Sequence, residues 1–422
     1  MTNFTLSADQ LTHLYGNQPG MAEMQLQRYQ SLLEKHQQSF PAAGQLYLIS
    51  APGRTEISGN HTDHNHGKVL AAAVNLDTLA VVSPRADDTV IVHSEGYSPI
   101  SLTLDNLSPV ESEAGSTAAL VRGVATRMKE LGYKLGGFEA TVTSTVRSGS
   151  GLSSSAAFEV LLCAIFDNLY NAGDMPFKLR AQISQYAENV YFGKPCGLMD
   201  QMASSAGGLV YIDFANADPE VRALSYDFAA KGFSLVVVNT GGSHDDLTDD
   251  YAAIPAEMKA VAAAMGKEYL REITPEDFFA ALPTLREKLT IANKERALLR
   301  AAHFYHENQR VDKQFAALQQ DDLPTFLRLV IESGRSSFCY LQNIFASSAH
   351  QELALALMLS EQLLSGKGAW RVHGGGFAGT TLNFVPTDLL PEFLSRMEAV
   401  FGQGSCNILN VRPMGPHAVR VK

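Results

Sequence analysis

The sequence predicts a mixed α/β protein, with helices and strands interleaved from one end of the chain to the other. At 422 residues, the chain suits two or three domain-sized units, or two halves of one enzyme around a cleft. Glycine-rich turns at 147–157 and 373–381 follow strand-like runs, as turns do where backbone must approach a partner closely.

In chain order, Ser7 with Gln10 forms a helix capping box, and 20–40 reads as a second helix. The run "QLYLIS" (45–50) is apolar and β-prone, and it ends at Ala51-Pro52-Gly53. Two strands follow, "VLAAAVNLDTLAVVSPR" and "TVIVHSEG", with a turn at Ala86-Asp87-Asp88. Helical spacing in "TAALVRGVATRMKELGY" stops before Gly136-Gly137, and "GFEATVTSTV" alternates as a strand. "SSSAAFEVLLCAIFDNLY" and "LRAQISQYAENVYFG" read as helices, "PCGLMDQMASSAGG" as a loop with a helical turn, and "GLVYIDF" as a strand. Beyond a composition shift near 207–220 come a strand in "SLVVVNTGG" and a mostly helical stretch over 244–335. A helix in "ALALMLSEQLLSG", two strands around the glycine turn of "GAWRVHGGGFAGTTLNFV", a last helix and two short strands finish the chain. The expected division is 1–213 and 214–422.

Composition excludes several classes. Hydrophobic residues are 45% and charged residues 18%, a globular balance. A net charge of −11 argues against a nucleic-acid or acidic-membrane surface. The start has no basic segment followed by an apolar run, and no apolar stretch reaches the ~20 residues of a membrane helix. The expectation is a cytoplasmic protein, compatible with a monomer. None of the four cysteines forms a CxxC pair, and Cys163 in "VLLCAIF" reads as a buried apolar thiol.

"RSGSGLSSSAA" (147–157) carries chemistry. Gly149 and Gly151 free the backbone, and Ser150, Leu152, Ser153, Ser154 and Ser155 bring the chain into a helix whose first N–H groups are unpaired. Such a turn binds an anion, most simply a nucleotide phosphate, or else is a capped helix after a flexible turn. It is not a Walker A loop, because no Gly-Lys-Ser/Thr follows. Asp200, and Glu188 twelve residues earlier, are acids that suit Mg²⁺ or proton acceptance from an attacking hydroxyl, or are surface acids. Gly374, Gly375 and Gly376 permit backbone where no side chain fits, as a plain hairpin or as a wall against a nucleotide. His61, Asp63, His64 and His66 crowd one loop. A zinc site there lacks an outlying Cys/His pair to close it, and a sugar pocket or a crowded polar loop are the other readings.

Taken together, "APGRTEISGNHTDHNHGKVLAAAV", "GSGLSSSAA", "AENVYFGKPCGLMDQ" and "HGGGFAGTT" resemble, in order and spacing, the galactokinase branch of the GHMP small-molecule kinases. The resemblance spans about residues 45 to 420. It implies a two-domain fold with the site between domains, and ATP- and Mg²⁺-dependent phosphorylation of a sugar's anomeric hydroxyl. By the same resemblance, Asp200 is the catalytic aspartate and Arg54 its partner. Ser155 and Glu188 fall on Mg²⁺ positions, and His61, Asp63, Gly197 and Tyr251 on sugar contacts. Asn60 stands where the family has a glutamate that accepts from the sugar's O6, and His64 where it has tyrosine. Galactose is the expected substrate. N-acetylgalactosamine, L-arabinose or a C6-altered hexose, or a non-catalytic sugar and ATP sensor, are the alternatives.

Overall fold

The computed structural model describes residues 6–421 except 19, 148–150, 195, 243–246, 346 and 378, and the Thr248 side chain. Gly149 and Ser150 of the expected phosphate loop lie outside the described residues.

The chain begins with helices α1 (Ala8–Tyr15) and α2 (Met21–Ser39), and α1 carries the capping box expected of Ser7 and Gln10. Strand β1 (Tyr47–Ser58) then pairs along β2 (Lys68–Pro84). β1 continues past the stop expected at Pro52. A central strand tolerates this proline because the register shifts between Pro52 and Arg54, so the missing N–H breaks no regular ladder. Next come β3 (Thr89–Ser94), β4 (Ile100–Thr103), helix α3 (Thr117–Glu130) and β5 (Phe138–Ser144). Helices α4 (Ser154–Tyr170), α5 (Phe177–Tyr186) and α6 (Met199–Ala206) follow, with a π-helical turn at Ala187–Phe192 after α5.

These strands, with β6 (Leu209–Asp213) and β7 (Glu220–Leu224), make an eight-stranded sheet. Its main path is β12-β1-β2-β5-β3-β4, where β12 (His417–Arg420) is the last strand of the chain. The 17-residue β2 is long enough to pair with β6 at its start and β5 at its end. β3 and β5 run parallel, and the other pairs are antiparallel. The second sheet has four antiparallel strands in the order β11 (Cys406–Leu409), β8 (Phe233–Asn239), β10 (Thr380–Pro386), β9 (Ala369–His373). Helices α10 (Leu323–Ser336), α11 (Glu352–Leu364) and α12 (Leu390–Phe401) pack against it, while α7 (Thr248–Ala264) and α8 (Pro275–Lys288) pack on α9 (Lys294–Gln319). β7 and β12 both lie beyond residue 213, yet belong to the first sheet.

One apolar cluster joins the sheets: Ile57 and Leu70 from the first pack with Leu235 and Phe384 from the second and Phe326 from α10. Another core, including Val82, Phe138, Leu161 and Phe166, lies between the first sheet and α3 and α4. Cys163 is buried there, as its sequence setting predicts. Among the described residues, no helix is long and apolar enough to cross a membrane.

Candidate active site

The site is built where β1, the N-terminus of α4 and the start of α6 meet. Arg54 on β1 donates from Nε to Asp200 Oδ1 and from Nη2 to Asp200 Oδ2, each at 2.6 Å. This bidentate fork fixes the carboxylate in plane as well as in distance. The third nitrogen, Nη1, donates to the Gly151 carbonyl, and the Arg54 backbone N–H donates to Leu152 O at 3.0 Å. One arginine therefore ties Asp200 to the glycine-rich turn. Burial alone would push the Asp200 carboxyl up, but the charge and hydrogen bonds of Arg54 outweigh it and hold the group below its ordinary range. Asp200 is ionised at neutral pH.

Gly151 has φ +72°, and a Cβ there would lie 2.7 Å from Thr380 Oγ1 and 2.9 Å from His373 Nδ1. Only glycine fits that approach. Leu152 is buried and anchors the turn. Ser153 takes the left-handed conformation at the helix cap, and its side chain bonds to Asp200. Ser154 and Ser155 open onto a cavity of about 650 Å³ bordered by Thr78, Ile100, Leu120, Phe158 and Lys194. Polar groups lie at the helix end and apolar ones further along, a lining that suits a nucleotide.

On the cavity wall, Ser155 donates from Oγ to Glu188 Oε1 at 2.8 Å. Both are hard oxygen donors. Lys194 Nζ stands 3.7 Å from the same carboxylate oxygen.

The glycine turn at 374–376 does not line this cavity. Its three carbonyls instead accept, in turn, from Asn60 Nδ2 (2.6 Å), His61 Nε2 (2.9 Å) and the Tyr251 hydroxyl (2.8 Å). The expected nucleotide wall is thus a clasp on the other expected ligand loop. The reason is geometric: a Cβ at Gly375 would sit 2.5 Å from Tyr251 Cε1, so the tyrosine ring occupies the space the glycine leaves. Asp63 presses against Gly197 closely enough that a Cβ there would collide with Oδ2. Asp63 and Gly197 also border a smaller cavity of about 340 Å³ with His64 and His66.

Asn60 departs from its expected role. It is fully buried, and its amide donates to Glu56 Oε1 at 3.0 Å as well as to Gly374 O, while Asn343 Nδ2 donates to its oxygen at 2.7 Å. Both hydrogens and the oxygen of its side-chain amide are paired within the protein. Among the described residues, no group of three or more His, Cys, Asp or Glu side chains gathers to hold a metal.

Several residues here were not singled out from sequence. His373 bridges Thr55 Oγ1 and Thr380 Oγ1 at 3.0 Å each, and burial followed by the Arg54 and Arg371 charges lowers its pKa to about 3. It is a neutral strut between the two sheets. Gln201 and Glu159 flank Glu188. Glu159 carried a legible signal, an acid four residues after Ser155 in an otherwise apolar helix.

Fold and site define a small-molecule kinase of the GHMP type. Residues 100–208 match the N-terminal domain of GHMP kinases, and 34–84 match the galactokinase galactose-binding signature. The chain is 35% identical over 341 residues to galactokinase from Streptomyces coelicolor, covering 80% of this chain and 84% of that one. It is 32% identical over 400 residues to the Homo sapiens galactokinase, covering 91% and 94%. Its fold matches that of Lactococcus lactis galactokinase, solved with galactose, at a TM-score of 0.80 and 24% identity over 92% of this chain and 99% of that chain. The chain belongs to the galactokinase family and is a sugar kinase.

Proposed function

We propose that this protein transfers the γ-phosphoryl group of ATP to the anomeric hydroxyl of galactose, giving galactose 1-phosphate and ADP. The observation that carries this reading is the Arg54–Asp200 fork, set between the glycine-rich turn and the Asp63–Gly197 contact. In that place Asp200 accepts the proton of the attacking hydroxyl. The sugar oxygen bonds to the γ-phosphorus as the bond to the ADP oxygen breaks. Phosphoryl transfer through a loose transition state needs alignment and charge neutralisation more than a strong base. A weakly basic carboxylate is therefore adequate. Arg54 orients it and offsets charge on the transferring group. The N–H groups opening α4 receive the phosphates.

Ser155 Oγ and Glu188 fit Mg²⁺, which takes oxygen ligands, accepts one or two protein donors and leaves the remaining positions to phosphates and water. When bound, the ion would neutralise phosphate charge. The presence of Asp200, Arg54, Ser155 and Glu188 in one cluster favours an enzyme over a sensor.

The buried Asn60 favours a second reading of the sugar. If position 60 offers no acceptor for a C6 hydroxyl, selection at C6 is weak, and L-arabinose is turned over with kcat/KM close to that for galactose. A strong preference for galactose would reject that reading. The reaction assignment is tested by Asp200→Asn. Turnover is expected to fall by at least about 10³-fold while calorimetry still detects sugar binding. A near-normal kcat would remove Asp200 from the mechanism.

A further inference from the structure

We infer that Gln201, braced from behind by Glu159, is a positioning residue that sets the Glu188 carboxylate for a divalent cation. The inference rests on the role proposed above for Glu188. Gln201 follows the catalytic Asp200 on α6 and is fully buried. Its single amide nitrogen reaches two carboxylates, Glu188 Oε2 at 2.7 Å and Glu159 Oε2 at 3.1 Å. An amide NH₂ has two hydrogens, so each acid takes one. That arrangement also fixes which way the amide faces, because an oxygen in that place would lie against the Glu188 carboxylate oxygen.

Glu188 is thereby gripped at both oxygens, by Ser155 Oγ on Oε1 and by Gln201 Nε2 on Oε2. Its rotation is fixed before any ion arrives. Ser155 and Glu159 are one helical turn apart on α4, so one face of that helix carries both a proposed ligand and the brace.

Glu159 has the character of a brace rather than a ligand. It is fully buried, and no Lys or Arg forms an ion pair with it among the described residues. Its Oε1 and the Gln201 Oε1 are both buried without a hydrogen-bond partner. Burial, with the Glu188 charge behind it, pushes the Glu159 carboxyl well above its ordinary range. A neutral acid at this place adds no third negative charge beside Glu188 and Asp200, and it still accepts the amide hydrogen. Outer-shell partners of this kind orient ligands and tune affinity.

The test uses Mn²⁺ as the probe, with binding to the full chain in the presence of ADP followed by electron paramagnetic resonance. Gln201→Leu, and Gln201→Glu, which keeps the size but loses the N–H, are each expected to weaken Mn²⁺ binding by about 10–100-fold. Glu159→Ala is expected to weaken it in the same direction, and Glu159→Gln to restore it to within about threefold of the parent. Thermal melting checks that each variant is folded. Glu188→Gln is the control. Wild-type Mn²⁺ affinity in both Gln201 variants, with loss in Glu188→Gln, would overturn the positioning role alone. Wild-type affinity in Glu188→Gln would instead overturn the cation reading on which the inference stands. If Glu159→Gln fails as badly as Glu159→Ala, the brace is not the neutral acceptor described.

Discussion

Asp63 and Gly197 illustrate how single atoms define the cleft. The glycine is required by the carboxylate lying against it, since a methyl group there would collide with Asp63 Oδ2. Gly197→Ala is predicted to displace Asp63 and lower kcat/KM for the sugar by about 10²-fold, with ATP affinity unchanged. Steady-state kinetics in each substrate checks this, and an equal loss in both would count against the assignment of Gly197 to the sugar side. Other residues could not be read this way. The sequence permits Asn60 to face a sugar. Its burial depends on Gly374 and Asn343, roughly three hundred positions away, whose approach is a property of the folded chain. Glu159 was not singled out although an acid in a mostly apolar helix is a legible signal, and Gln201 offered no signal beyond its place beside Asp200.

Most elements were legible because their periodicity is strong. The helix after the serines and the long β2 fall where apolar spacing puts them. The end of β1 was not, because Pro52 reads as a stop and only the register shift of the pair with β2 rescues it. The N-terminal helices were legible as helices but not as parts of the sheet's support. On α2, Arg28 Nη1 donates to Asp77 Oδ1 at 2.6 Å, and Arg412, from the end of the chain, reaches Oδ2 at 3.2 Å. Tyr15 at the end of α1 donates to the same oxygen at 2.6 Å. Asp77 also receives Thr145 Oγ1 at its backbone oxygen (3.2 Å), just before the glycine-rich turn. This buried cluster joins the first and last parts of the chain to the strand that leads toward the glycine-rich turn. Removing one partner leaves buried charge and unmet acceptors. Arg412→Met is predicted to destabilise the protein by roughly 3–5 kcal/mol, read from the denaturant midpoint. A change under about 1 kcal/mol would mean that the cluster is not coupled to global stability.

At the scale of the whole molecule, buried imidazoles set the acid limit. Burial lowers His36 and His61 to about 4 and His373 to about 3. The unfolded chain takes up these protons near pH 6.5, while the folded chain refuses them until far lower. Their stabilisation is therefore complete above 6.5 and lost as pH falls toward 4, at about 1.4 kcal/mol per pH unit for each histidine. Glu56 opposes them. Burial raises it to about 7 against the Arg371 charge, so its contribution is greatest in acid and fades as pH rises from about 4.5 to 7. Glu159, also raised by burial, acts in the same sense as Glu56; three histidines outweigh these two glutamates, and stability is predicted to drop between pH 6.5 and 4.5. His36→Gln, remote from the cleft and bonded to Thr141, should make that slope shallower by one histidine's share. An unchanged slope would show that His36 does not titrate as described.

The account's central claim is that these parts serve one reaction. The most direct test is ADP release from Mg-ATP by the purified protein with D-galactose, with the product's phosphate position read by ³¹P and proton resonance. Galactose-dependent ADP release with the phosphate on the anomeric oxygen is the predicted result. ADP release at background, with ATP still bound and no sugar turned over, would contradict it.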